Sequence, residues 1–237
     1  MPGDLLGLAA NAFTAAGEIP RPLAEAISKR VVAEADLADV PVDSLTLLFH
    51  SSRDFTSNAA WAVEQHLPQR LSEMNDQDAA LFLSSVGVSK GPAKRPELLK
   101  ALGRSLSSAP ALTGPALAQL AQAFARLQSR DEGVLLPLRD LVMAKVRQLP
   151  PQSMGMVSNA YARMSFLEGP LLEAVATAAS EALATEAEKW DHIAVTQLLN
   201  GHAKVRCFDA NFFDRALEWL SLPANLASCS PQSLAIA

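Results

Sequence analysis

Cysteine is almost missing from this chain, which has only Cys207 and Cys229. Two thiols so spaced build neither a disulfide framework nor a zinc site, and they point to a reducing compartment. Aromatic residues are nearly as scarce, at 5% with a single tyrosine, so any recurrence among them stands out. Long apolar runs are lacking too. Every window of about 18 residues holds a charge or a proline, so no segment is suited to span a membrane. Period-two alternation of the length a strand needs is absent, which argues against a β-sheet. The four histidines, His50, His66, His192 and His202, are not paired at the i, i+4 spacing of a helical metal site. There is no glycine-rich phosphate loop, no nucleophile elbow and no carboxylate pair of distinctive spacing. The expectation is a protein without catalytic residues, metal, cofactor or small-molecule substrate. Neither sign of charge dominates. The net charge is −5, with 10 basic and 13 acidic side chains in residues 1–110 and 10 and 12 in 111–237. A basic surface must therefore come from arrangement and not from bulk charge.

What the chain does have is a recurring octet. It reads LAQAFARL at Leu120 to Leu127, VSNAYARM at Val157 to Met164, LLNGHAKV at Leu198 to Val205 and AANAFTAA at Ala9 to Ala16. Two degenerate copies, LTLLFHSS at Leu45 to Ser52 and AALFLSSV at Ala79 to Val86, fall in phase. The ring position is then Phe13, Phe49, Leu83, Phe124, Tyr161 and His202, with gaps of 36, 34, 41, 37 and 41 residues. Such a period, with each unit too short to close a core of its own, is the mark of stacked supersecondary units.

Apolar residues around each anchor recur at three- and four-residue steps, as in Leu117, Leu120, Phe124, Leu127 and in Met154, Val157, Tyr161, Met164. That spacing predicts a first helix with one buried stripe. About a dozen residues on, a second stripe follows: Leu23, Ala26, Ile27, Val31; Trp61, Val63, Leu67; Leu98, Leu99, Leu102, Leu106; Leu135, Leu138, Val142, Val146; Leu171, Ala174, Val175, Ala178; and Phe212, Ala216, Trp219, Leu220. Gly17 and Pro20, Gly91 and Pro92, Gly114 and Pro115, Pro150 and Pro151, and Gly169 and Pro170 fall between stripes, where a lost helical hydrogen bond costs least. The predicted fold is all-α: an α-solenoid of about six antiparallel helix pairs, with a period of 34–41 residues, occupying 1–237 as a single helical-repeat domain. Related solenoids imply a right-handed superhelix.

The chain ends within a seventh unit, since PQSLAIA at Pro231 to Ala237 repeats PQSMGMV at Pro151 to Val157 and sets Leu234 at the place of Met154. Met1 to Leu8, with Asp4 and no arginine, looks like neither a signal nor a transit peptide and runs straight into the first helix. Solenoids need polar caps, and neither end shows one. The expectation is a portion of a longer solenoid, or ends covered by partners.

One polar constellation recurs with the ring. Two residues before it stand Gln122, Asn159 and Asn200, and two after it Arg126, Arg163 and Lys204. Each amide and its cation are four apart, hence on one helix face, and three stacked units would present them as a ladder. Amides read base edges while cations hold phosphates. The same residues equally suit amide hydrogen bonds between adjacent repeats with cations solvating the edge. The first three units lack the ladder, carrying Asn11 with Ala15, Leu47 with Ser51 and Leu81 with Ser85.

The phrase LAQAFARL … VSNAYARM, each followed by a second helix, resembles the helical repeats of organellar RNA-metabolism proteins: the octotricopeptide and heptatricopeptide families and the repeats of FAST-kinase-like and RAP-domain proteins. The resemblance covers nearly the whole chain. It implies a mitochondrial or plastid protein that binds organellar rRNA or mRNA, as part of an organellar ribosome or in transcript processing or translation. It implies RNA-facing roles for Gln122, Arg126, Asn159, Arg163, Asn200 and Lys204. The acidic balance fits a piece held by neighbouring proteins inside a large ribonucleoprotein. A protein-binding scaffold or accessory subunit of a large organellar complex is the other reading of the same repeats.

Overall fold

A computed structural model describes residues 3–17, 19–33, 37–52, 55, 57–75, 78, 81, 82, 85, 112–128, 130–165, 169–231 and 233. Among the described residues the secondary structure is entirely helical, and no helix is long and apolar enough to cross a membrane. The expected anchor Leu83, the stripe Leu98, Leu99, Leu102 and Leu106, the separators Gly91 and Pro92, and Leu234 lie outside the described residues. The chain divides into two compact units, Met1–Leu112 and Thr113–Ala237.

In the first unit, α1 (Gly3–Ala15) packs against α3 (Val42–His50), and α2 (Arg21–Ala33) against α4 (Ser57–His66). Alternate helices thus touch. The crossing of α1 and α3 is close enough that a methyl group at Gly7 would stand 2.5 Å from the Ser44 carbonyl oxygen. Ile27, Val31, Leu45, Leu48, Phe49, Val63 and Leu67 form the core. Phe82 meets Phe49 edge-on at 5.2 Å between centroids, which supplies an aromatic partner one residue before the expected anchor of the third repeat. Arg70 ties the turns together, its Nη1 donating to the Ala38 and Val40 carbonyls at 3.1 and 2.6 Å while Nε and Nη2 grip the Glu73 carboxylate. That charge-assisted grip holds the Glu73 carboxyl below the usual carboxylate range.

Trp61 corrects one expected stripe, for it is 63% exposed while Val63 and Leu67 are buried. Residues two apart lie about 200° apart around a helix, so only the i, i+4 pair can share a face. In α2 the inward residues are Ala24, Ile27, Ser28 and Val31, with Ala26 turned to solvent.

The second unit comprises α5 (Gly114–Leu127), α6 (Glu132–Lys145), α7 (Pro151–Met164), α8 (Gly169–Thr185), α9 (His192–Lys204), α10 (Ala210–Ser221) and the short α11 (Pro223–Ser228). First helices pack on first helices, α7 against both α5 and α9, and second helices on second helices, α8 against both α6 and α10. The starts follow from local chemistry. Pro115 and Pro151 occupy first-turn positions where no N–H is needed, and Asp131, Asp191 and Asp209 accept the N–H groups of Gly133, Ala194 and Phe212 at 3.0, 2.7 and 2.8 Å. Pro137 departs from the expected punctuation by lying inside α6, where it deprives the Gly133 carbonyl of its helical donor.

Left-handed backbone recurs at one register. Gly17, Gln128, Ser165 and Arg206 have φ of 110, 52, 51 and 57°, and each stands four residues after its ring position. Each N–H closes the helix onto the carbonyl three residues back, at 3.1 to 3.3 Å. Only the first is glycine. Left-handed backbone costs another residue about 1–2 kcal/mol, whereas glycine's extra freedom in the unfolded chain costs about 0.4–1 kcal/mol. Gln128→Gly and Ser165→Gly are therefore each expected to raise stability by about 0.5 kcal/mol in urea unfolding. A loss would mean that the replaced side chain makes contacts outweighing its strain.

Candidate nucleic-acid interface

The geometry of the first helices decides where each ladder residue points. A methyl at Gly155 would stand 3.0 Å from the Ala194 carbonyl oxygen, and one at Gly201 would collide with the Ser158 hydroxyl and lie 2.9 Å from the Ser158 carbonyl carbon. Contacts advance together along both chains, so α7 and α9 run parallel with their backbones nearly touching. The ring side chains fill the side facing the second helices. Phe124 is 1% exposed, and Tyr161 and His202 are fully buried. Tyr161 Oη donates to the Leu135 carbonyl at 3.1 Å, and His202 Nε2 lies 3.0 Å from that of Leu172, each on the second helix of the preceding pair. His202 thus does what Tyr161 does, an imidazole N–H standing in for a phenol. Its Nδ1 lies 3.1 Å from Ser158 Oγ, whose hydroxyl donates to it, and 2.9 Å from the Leu198 carbonyl oxygen.

Phe13 departs from this rule at 40% exposure.

Of the three amides, Gln122 is turned inward: it is 8% exposed, and its Nε2 donates to the Met156 carbonyl at 3.0 Å. That bond joins α5 to α7 and takes the group that a base edge would need. Asn159, at the equivalent place on α7, is one methylene shorter and makes no such bond. Asn159 and Asn200 are half-buried at the helix surface.

All three cations are exposed. Arg126, Arg163 and Lys204 occupy the last turn of α5, α7 and α9, and among the described residues none of them has an ion-pair partner. Parallel packing brings Arg163 and Lys204 to one end, and the Gln122–Met156 bond sets α5 in the same stack. Helix ends favour cations by about 0.3–1 kcal/mol each, so the position suits them even without a ligand. The carboxylates of Asp131 and Asp209 at this end are engaged as helix caps.

Sequence reasoning missed the loop that follows α9. Arg206 and Phe208 are exposed there, beyond the octet that defines the repeat. Between them, burial together with the Glu173 and Asp209 carboxylates pushes the Cys207 thiol up. Among the described residues no group of three or more His, Cys, Asp or Glu side chains is placed to hold a metal ion.

No protein-family model matches this chain, and no curated protein sequence matches it.

Proposed function

We propose that the chain is a non-catalytic, right-handed α-solenoid of about six helix pairs that binds RNA through the ends of its C-terminal first helices. The observation that carries this reading is the row of exposed cations Arg126, Arg163 and Lys204 on three neighbouring helices, without ion-pair partners among the described residues. Cations so displayed hold phosphates without regard to sequence. Asn159 and Asn200 stand half-buried on the same helices and would meet a base or ordered water, while Gln122 bonds to the Met156 carbonyl of the next first helix. The alternation of first-on-first and second-on-second packing supports the solenoid. With the repeat resemblance, it supports a component or assembly factor of a mitochondrial ribosome or similar ribonucleoprotein, a plastid being the other address.

A protein-binding scaffold is the second reading, favoured by Leu217, Leu222 and Leu226 at 53%, 51% and 47% exposure on α10 and the segment after it. Affinity purification from organelles, with sequencing of bound RNA and mass spectrometry of bound protein, separates the two. The RNA reading expects enriched transcripts that survive protease treatment of the eluate's partners and vanish for the triple cation variant. Protein partners without RNA would support the scaffold.

A further inference from the structure

Phe208 has the greatest exposure, 70%, of the exposed large apolar side chains among the described residues. It is not a loose side chain. The loop carrying it is fixed before it by Arg206 N–H on the Ala203 carbonyl at 3.1 Å and Cys207 N–H on the His202 carbonyl at 3.0 Å. After it, Asp209 caps α10 through the Phe212 N–H. The Phe208 ring lies 5.5 Å from that of Phe213, which lies 5.5 Å from Phe212, which lies 5.2 Å from the buried His202. An aromatic series therefore leads from the core to a ring displayed in water. Lys204 and Arg206 precede it by four and two residues, both exposed and without ion-pair partners among the described residues. The adjoining Asp209 carboxylate is engaged as a cap.

An exposed ring on a hydrogen-bonded loop that also carries Arg206 and follows Lys204 suits a ligand that is both polyanionic and flat-faced. We infer that Phe208 is a stacking platform for an unpaired base whose adjoining phosphates are held by Lys204 and Arg206, so that the RNA taken by this end of the molecule is single-stranded. This rests on the RNA reading above. Stacking on an aromatic side chain discriminates little among bases, because each has a π-face, and it is closed to duplex, whose bases are already stacked.

The test measures binding of fluorescein-labelled oligouridylate, an abasic ribose-phosphate strand of equal length and an RNA duplex. Phe208→Ala should weaken oligouridylate binding by about 5- to 150-fold and leave the abasic strand unchanged. Phe208→Trp should retain affinity, and Phe208→Leu, which keeps apolar area without a π-face, should lose it. Thermal unfolding of each variant should match the parent, since the ring is in solvent. Equal affinity of parent and Phe208→Ala for oligouridylate would overturn the inference while leaving the cation ladder standing. Full affinity in Phe208→Leu would mark the ring as an apolar protein contact. Failure of the parent to bind any of the three probes would remove the RNA reading and this inference with it.

Discussion

Phe124→Ala is expected to lower stability by about 3–5 kcal/mol. The ring is 1% exposed and stands on the buried stripe with Leu117 and Leu120, both fully buried. Truncation removes its transfer energy and leaves a cavity that neighbouring helices, already in close contact, cannot collapse to fill. The internal comparison is Phe13, which holds the same repeat position at 40% exposure. Phe13→Ala should cost about 1 kcal/mol or less. Urea unfolding of the two variants reads the difference directly. Equal losses would mean that the repeat register does not determine burial.

Gly201→Leu should cost about 2–3 kcal/mol. Glycine inside a helix is unfavourable by about 1 kcal/mol relative to alanine, so on propensity alone any replacement would help. Packing reverses the sign. A Cβ here meets the Ser158 side chain and lies 2.9 Å from the Ser158 carbonyl carbon and 3.1 Å from the Asn159 nitrogen. Those are backbone atoms, and α7 can yield only by moving away from α9. At Gly169 nothing lies within 4 Å of an added Cβ, so Gly169→Ala should be neutral or slightly stabilising. A Gly201→Leu variant with the parent's midpoint would show that the two helices do not approach as closely as described.

The ring register was legible in the sequence because burial at a fixed helical phase leaves a period in residue type. Phe49, Phe124 and Tyr161 all prove buried, and the histidine at 202 fills the same place with the same kind of hydrogen bond. The left-handed caps were not legible, since Gln128, Ser165 and Arg206 carry no side-chain signal for a conformation that glycine would have announced. Trp61 was misplaced because a large apolar residue near a stripe was counted as part of it. Gln122 shows the limit of the ladder pattern. Spacing puts amide and cation on one face, but whether the amide turns toward solvent or the next helix depends on one methylene of reach, which only the packed structure decides. Phe208 lay outside the repeat, where periodicity has nothing to say.

The most direct measurement of the central claim is filter binding of RNA by the parent and by the Arg126→Ala, Arg163→Ala, Lys204→Ala triple variant across a salt series. Each single-strand phosphate contact contributes roughly 0.7 to the slope of log affinity against log salt, so losing three should lower it by up to about 2 units. The loss should be nearly the same for RNAs of unrelated sequence, because cations on phosphates carry no base information. A triple variant whose slope and affinity equal the parent's would contradict the claim and leave the three cations as helix-end charges in a protein-binding solenoid.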